Sequence, residues 1–388
     1  MDYKFSAAIA GLKPSAIREI FKITQKPGVI SFAAGNPSPE TFPAEELAAI
    51  SARLFAEKAP FALQYGITEG YGPLRELMRA RLKTVYGVGR EYDETIIVSG
   101  AQQGIDLAAR VLSEPGDTAL CESPSFIGSL NAFRAHGLNL AGLPMDESGL
   151  LPEALENALK TLKRIKFLYT IPTFQNPTGI TMALERRGQI LELCEKNGVI
   201  IIEDNPYGDL SYDGEAPPPL KSLDETGIVV YVGSFSKIIS PGIRMGYVAA
   251  PAPIIEKIVV AKQGADVHTN LFFQMAVCEY MAGIDAHILK CRDIYRRKRD
   301  LMYGACIEHL KGADVIKPAG GLFLWCGLKN AEDSSDFCRR AVESNVAVIP
   351  GKAFLTDLSA KTAGFRLNFS MPSNEQIARG VEILGGIM

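Results

Sequence analysis

A chain of 388 residues, 47% of them hydrophobic, carries enough apolar material for two or three cores, which points to a large body with a smaller one attached. Its net charge of −3, from 41 basic and 44 acidic side chains, excludes the strongly cationic face that nucleic-acid binding requires. No apolar run approaches the roughly 20 residues that span a bilayer, and no apolar stretch follows a basic start at the N-terminus, so a cytoplasmic protein with no membrane partner is expected.

In chain order, residues 1–45 hold too little apolar sequence to fold alone and are expected to be an arm packed against the C-terminal domain or a partner subunit. Residues 46–285 are expected to form the large domain and 286–388 the small one. Between about 90 and 250, apolar runs alternate with helical stretches: TIIVSG (95–100), DTALCES (117–123), KFLYTIP (166–172), VIIIED (199–204) and GIVVYVGS (227–234). Runs apolar on both faces and interleaved with helices predict parallel strands covered on two sides, an α/β fold. The charged stretch from about 286 predicts a long helix, with the basic cluster 292–299 (RDIYRRKR) as its solvated face. GGLFLWCGL (320–328), NVAVIPG (345–351) and GFRLNFS (364–370) predict short strands of an α+β domain. The last alternates strictly, with Phe365, Leu367 and Phe369 on one face and Arg366, Asn368 and Ser370 on the other, which predicts a half-buried strand with a polar working face.

The seven cysteines form no C-x-x-C pair and are expected to be free buried thiols, and no two histidines have the i, i+4 spacing of a helical metal site. A nucleotide-binding dehydrogenase or P-loop enzyme is excluded, since neither G-x-G-x-x-G nor G-x-x-x-x-G-K-[ST] occurs.

What remains is a concentration of polar residues just past the predicted strands, where open α/β sheets bind ligands. Ser99, Gly100, Ala101 and Gln102 open a helix, whose amides and positive end suit a phosphate. Ser123-Pro124-Ser125-Phe126, Asn176-Pro177-Thr178-Gly179, Asp204-Asn205-Pro206-Tyr207 and Ser234-Phe235-Ser236-Lys237, with Arg244 seven residues on, follow four further strands. Together they supply a phosphate cradle, an aromatic face, an amide, a carboxylate, a phenol and an amine. Chemistry on pyridoxal 5'-phosphate (PLP) needs that inventory: an amine for the Schiff base, a carboxylate to keep the pyridine nitrogen protonated, donors to the 3-oxygen and a stacking face.

These stretches, with Gly242, Gly246 and Phe365-Arg366-Leu367, resemble the fold type I PLP enzymes of the class I/II aminotransferase superfamily nearly end to end. The resemblance implies a mostly parallel seven-stranded sheet between helices, plus a smaller α+β domain. It implies that Lys237 is the Schiff-base lysine and proton shuttle and that Asp204 pairs with the pyridinium. Asn176 and Tyr207 would bond the 3-oxygen, and Phe126 would stack on the ring. Gly100, Ala101, Gln102, Ser234, Ser236 and Arg244 would hold the phosphate, helped by Tyr65 of a partner subunit in a homodimer. Arg366, beside Asn176, would clamp the substrate carboxylate by a bidentate fork, which lysine does poorly.

SAIREIFKITQKPGVISFAAGNPSPETFP near the start and KQGADVHTN (262–270) are similar to the 2-aminoadipate/kynurenine branch. There the N-terminal helix and the loop holding Gly35 and Asn36 border the substrate side chain. Arg18 either meets a distal carboxylate or is an ordinary solvated arginine. Ala34-Gly35-Asn36 stands where the branch often has Gly-Gly-Leu, and Phe126 where it has tyrosine. The activity implied is amino transfer from an L-amino acid to a 2-oxo acid, 2-oxoglutarate, by a ping-pong route. A β-lyase, a decarboxylase or a PLP-sensing effector domain are the alternatives.

Overall fold

The computed structural model describes residues 3–10 and 28–388, so Arg18 lies outside the described residues. Strand β1 (Ile30–Ser31) pairs in parallel with β12 (Val346–Ala347), which joins the N-terminal segment to the C-terminal part of the chain. The large sheet comprises β2 (Asp93–Val98), β3 (Thr118–Ser123), β4 (Asn139–Asp146), β5 (Gly149–Leu150), β6 (Ile165–Thr170), β7 (Ile200–Asn205), β8 (Val229–Ser234) and β9 (Gly246–Pro251), in the spatial order 2-9-8-7-6-3-4-5. A smaller antiparallel sheet runs β10 (Ala313–Ile316), β11 (Phe323–Leu328), β14 (Gly364–Asn368), β13 (Ile349–Pro350).

The five predicted strands of the large sheet are β2, β3, β6, β7 and β8. The pairings β4–β3, β3–β6, β6–β7 and β7–β8 are parallel, and β9 is antiparallel to both of its neighbours. Counting β4 and β9, seven strands make up the sheet, and β5 is a two-residue return on the β4 edge. The central strands are apolar on both faces because both are covered: every residue of β8 is buried. Ile105, Phe133 and Ile258, from three helices, pack on one face with Ile202 and Val232. Leu155, Ile190 and Leu191 pack on the other with Leu168 and Ile201. Since the parallel strands share one direction, their carboxyl ends open at one edge of the sheet.

Two expectations need correction. The polar face of β14 is buried, not exposed: Arg366, Asn368 and Ser370 are all inaccessible. That face is covered by Phe323 and Phe354, both over the Arg366 guanidinium. The cluster 292–299 is also not simply a solvated face. Within the helix Ile284–His309, Arg296 and Arg297 are exposed, but Lys298 and Arg299 point inward. Lys298 Nζ donates to the carbonyls of Ser370 and Pro372. Arg299 pairs with Asp213 and donates to the Pro318 carbonyl. Burying two cations is tolerable here because each finds anionic or carbonyl partners. All seven cysteines are free, and all but the half-buried Cys278 are buried.

Candidate active site

Past the carboxyl ends of β2, β3, β6, β7 and β8 lies a cavity of about 490 Å³. Its wall includes Gly35, Ala101, Gln102, Phe126, Asn176, Asp204, Tyr207, Ser234, Ser236, Lys237, Arg244 and Arg366. Strand ends and loops as far apart in sequence as Gly35 and Arg366 therefore converge on one space.

One corner is built for an anion. Gly100, at φ +88°, turns the chain from β2 into the helix Ala101–Leu112, and a Cβ there would collide with the Arg244 guanidinium. Only glycine lets the backbone come so close to that cation. Arg244 donates to the carbonyls of Ser99 (3.2 Å) and Pro241 (3.3 Å), and the Ser234 hydroxyl accepts from the Ser236 amide at 3.1 Å. The first-turn residues Ala101 and Gln102, two hydroxyls and a guanidinium thus border the same corner, and the helix dipole reinforces its positive potential. Behind it, Asp266 accepts from Ser99 Oγ (2.6 Å), Gln103 Nε2 (2.8 Å) and the buried Lys262 Nζ (2.6 Å), pinning the turn on both sides of Gly100.

The same cavity wall carries a carboxylate. Asp204, inside the carboxyl end of β7 rather than after it, is buried; its Oδ2 accepts from the Tyr169 phenol at 2.7 Å, while Oδ1 is inaccessible and has no hydrogen-bond partner. Burial pushes the Asp204 carboxyl up to about 7; the Tyr169 hydrogen bond opposes that, Glu122 adds to it, and Lys237 opposes it further. An orphaned acceptor on a buried acid calls for a cationic N–H, so the residues present fit a protonated pyridine nitrogen here and a phosphate at the anion corner.

On the same wall, the half-buried Lys237 amine donates to the Gly35 carbonyl at 2.8 Å. Burial, joined by the positive charges of Arg366 and Arg244 and opposed by Asp204, lowers its pKa to about 8. A substantial neutral fraction at physiological pH makes it a nucleophile and a proton carrier. Arg366 donates from Nη1 to Asn176 Oδ1 and from Nη2 to the Ala33 carbonyl, both at 2.7 Å, and its Nε is buried without a partner. Its charge centre lies 4.2 Å from the Phe323 ring centroid and 4.9 Å from that of Phe354. Burial raises the pKa of the Tyr207 phenol, so it stays a neutral donor.

Two expected residues stand apart. Asn36 is exposed, off the cavity wall, and its carbonyl accepts from Ser370 Oγ at 2.6 Å. Tyr65 is 80% exposed, its ring edge-on to His268 at 5.7 Å and away from this chain's own cavity. Arg18 is not described. Sequence reasoning passed over Phe323, Ile105, Ile127, Gly128, Asn131 and Ile171 on the cavity wall, and Tyr169 behind it. Strand parity holds a signal for Tyr169: in the β6–β7 register it faces Ile202, so it shares a sheet face with Asp204 two residues on.

Among the described residues, no helix is long and apolar enough to cross a membrane. Residues 27–384 match the family model for class I and II aminotransferases. The chain is 40% identical to aromatic-amino-acid aminotransferase 1 of Thermococcus litoralis, covering 99% of this chain and 94% of that one. It is 39% identical to the 2-aminoadipate transaminase of Thermus thermophilus, over 98% and 95% of the two chains. The structure of a Pyrococcus horikoshii kynurenine aminotransferase, solved in complex with PMP, superposes with a TM-score of 0.95 at 38% identity, covering 99% of this chain and 96% of that one. The chain therefore belongs to the class I and II aminotransferases, fold type I enzymes that use pyridoxal phosphate, in the branch that includes the 2-aminoadipate and kynurenine aminotransferases.

Proposed function

We propose that this enzyme moves an amino group from an L-amino acid to a 2-oxo acid, 2-oxoglutarate, in two half-reactions that share one pocket, with Lys237 as the Schiff-base residue. The observation that carries this is that one cavity wall brings together the Lys237 amine, a corner rich in anion-binding groups and a buried carboxylate with a free acceptor. Bound pyridoxal phosphate supplies an electron sink for the pair left behind when a Cα proton departs. Lys237 would hold the cofactor and, once released from it, would carry the substrate's Cα proton on Nζ. Asp204 Oδ1 would accept the ring N–H, Phe126 would cover the ring, and Asn176 and Tyr207 would hold the 3-oxygen. Ala101, Gln102, Ser234, Ser236 and Arg244 hold the phosphate around the turn that Gly100 makes. Arg366 anchors the substrate carboxylate, oriented beforehand by Asn176 and Ala33. Gly35 borders the side chain of the substrate, whose class the aromatic, aminoadipate and kynurenine relatives suggest.

The active form is a cytoplasmic homodimer, with Tyr65 reaching the neighbour's phosphate site; its 80% exposure and the exposed Phe55, Phe61, Leu63 and Ile67 around it support this. Residues 1–45 act as an arm on the small domain (286–388), and 46–285 form the cofactor-binding body.

The test is absorbance of purified protein, with single amino acids added and no 2-oxo acid. Wild type is expected to lose its lysine-linked visible band and release one 2-oxo acid per subunit, the nitrogen staying on the protein. Release of ammonia would assign a lyase, and release of carbon dioxide a decarboxylase. Lys237→Ala is expected to lose turnover altogether, and full activity there ends the assignment.

A further inference from the structure

The buried phenol of Tyr169 has no part in the roles assigned above, yet it makes the only hydrogen bond to Asp204 among the described side chains. Tyr169 is inaccessible within β6, wedged edge-on against Phe133 at 5.4 Å, so its ring cannot swing away from the carboxylate. Its hydroxyl donates a hydrogen bond to Oδ2 at 2.7 Å, and Oδ1 is left without a partner. We propose that Tyr169 is a positioning residue that makes Asp204 a one-sided acceptor, occupying Oδ2 and presenting Oδ1, ionised, to the cationic N–H of the cofactor ring. The inference rests on the reading of the pocket given above and deepens it.

The neighbourhood explains why such a donor is needed. Asp204 is faced by two further buried acids, Glu122 at the end of β3 and its own neighbour Glu203, both of which disfavour its charge. Lys237, on the loop after β8, opposes them, and Tyr207 follows two residues beyond β7. Glu122 is itself held by Thr170 Oγ1 (2.5 Å), the Ile171 amide (3.1 Å) and Gln175 Nε2 (3.1 Å), so it cannot turn to donate to Asp204. Glu203 accepts from the amides of Leu220 and Lys221 and is engaged elsewhere. The proton on Tyr169 is secure, because burial raises the phenol far above its ordinary range. Of the uncharged groups around Asp204, Tyr169 is the one that stabilises its anion, and a neutral Asp204 would not hold a proton on the ring nitrogen.

Tyr169→Phe removes the donor and keeps the ring. A hydrogen bond to a charged group at this depth corresponds to about a tenfold effect. The variant is expected to bind pyridoxal phosphate about tenfold more weakly, with the acid limb of its kcat–pH profile raised by about one unit. KM for the amino donor is expected to stay within about twofold, since Arg366 and Asn176 are untouched. Unchanged cofactor affinity together with an unmoved acid limb overturns the proposal. Should the variant not fold, 3-fluorotyrosine at position 169 strengthens the donor at nearly constant volume; the acid limb is then expected to fall, and an unmoved limb again overturns it. Wild-type protein that does not take up pyridoxal phosphate at Lys237 defeats the underlying assignment, whereas normal wild-type uptake with an unaffected variant defeats only the role of Tyr169.

Discussion

Asp204 and Lys237 each hold an uncomfortable charge, and that discomfort has a measurable pH signature. The Asp204 carboxyl lies at about 7 in the fold against 3.8 for an ordinary aspartate, so the folded chain retains a proton that the unfolded chain releases in that interval. The stability tied to that proton is complete below about pH 4 and lost as pH rises through about 7. Lys237 runs in reverse, from 10.5 down to about 8: its contribution is complete above about 10.5 and lost as pH falls through about 8. From these two groups, cofactor-stripped protein is expected to be least stable between about pH 7 and 8. Asp204→Asn keeps an oxygen for the Tyr169 phenol and removes the charge. At neutral pH it is expected to raise the stability of the stripped protein by up to a few kcal/mol while abolishing turnover. Melting curves of both proteins from pH 5 to 9 check this, and an Asp204→Asn protein less stable than wild type at pH 7.5 refutes it. Arg366 makes a matching case for geometry over charge. Lysine there has no fork to satisfy Asn176, Ala33 and a carboxylate at once, so Arg366→Lys is expected to raise KM for the amino donor by about a hundredfold.

Elements decide how these groups are held, and the anion corner is the clearest case. The turn from β2 into the helix Ala101–Leu112 is fixed from behind by Asp266, which holds Ser99 and Gln103 while neutralising the buried Lys262. Asp266→Ala strands that cation, at a cost of about 3 kcal/mol, and frees both flanks of Gly100. Lower thermal stability and weaker cofactor binding are expected together, and loss of stability without loss of affinity would show that the brace does not reach the phosphate. Much of this level was legible in the sequence. The runs that became β2, β3, β6, β7 and β8 are apolar on both faces, and the polar cluster after each marked the cavity edge. What stayed hidden has physical causes. Strand β4 sits next to the sheet's edge, carries Pro144 and buries only Leu143 fully, so it lacks an apolar signature. Strand β9 (GYVAAP) carries only two large apolar side chains, follows Arg244 closely and runs antiparallel, which no local pattern announces. The burial of Arg366, Lys298 and Arg299 depends on partners far along the chain, and a hydropathy pattern reads charge without seeing what will cover it.

Across the whole molecule, the cavity holds every group that the proposed chemistry asks of one chain, while Tyr65 faces solvent beside His268, with Phe61, Leu63 and Ile67 exposed nearby. A tyrosine 80% exposed amid large apolar side chains is poorly explained in a monomer and well explained if it completes another subunit's site. Composite sites make a distinctive demand on mixtures of variants. Lys237→Ala chains have no amine in their own cavity but carry an intact Tyr65. Tyr65→Ala chains keep the amine and lack the phenol that serves the neighbour. Each homodimer has two defective sites, whereas a hybrid pairs the Lys237 of one chain with the Tyr65 of the other and so contains one complete site and one doubly defective one. Random reassortment puts half of the dimers in hybrid form, so the equimolar mixture is expected to recover about a quarter of wild-type activity after dissociation and reassociation, well above the mean of its parents. Activity that stays at that mean, in a mixture shown to have exchanged subunits, would mean that each chain binds its phosphate unaided and that the exposed tyrosine serves some other contact.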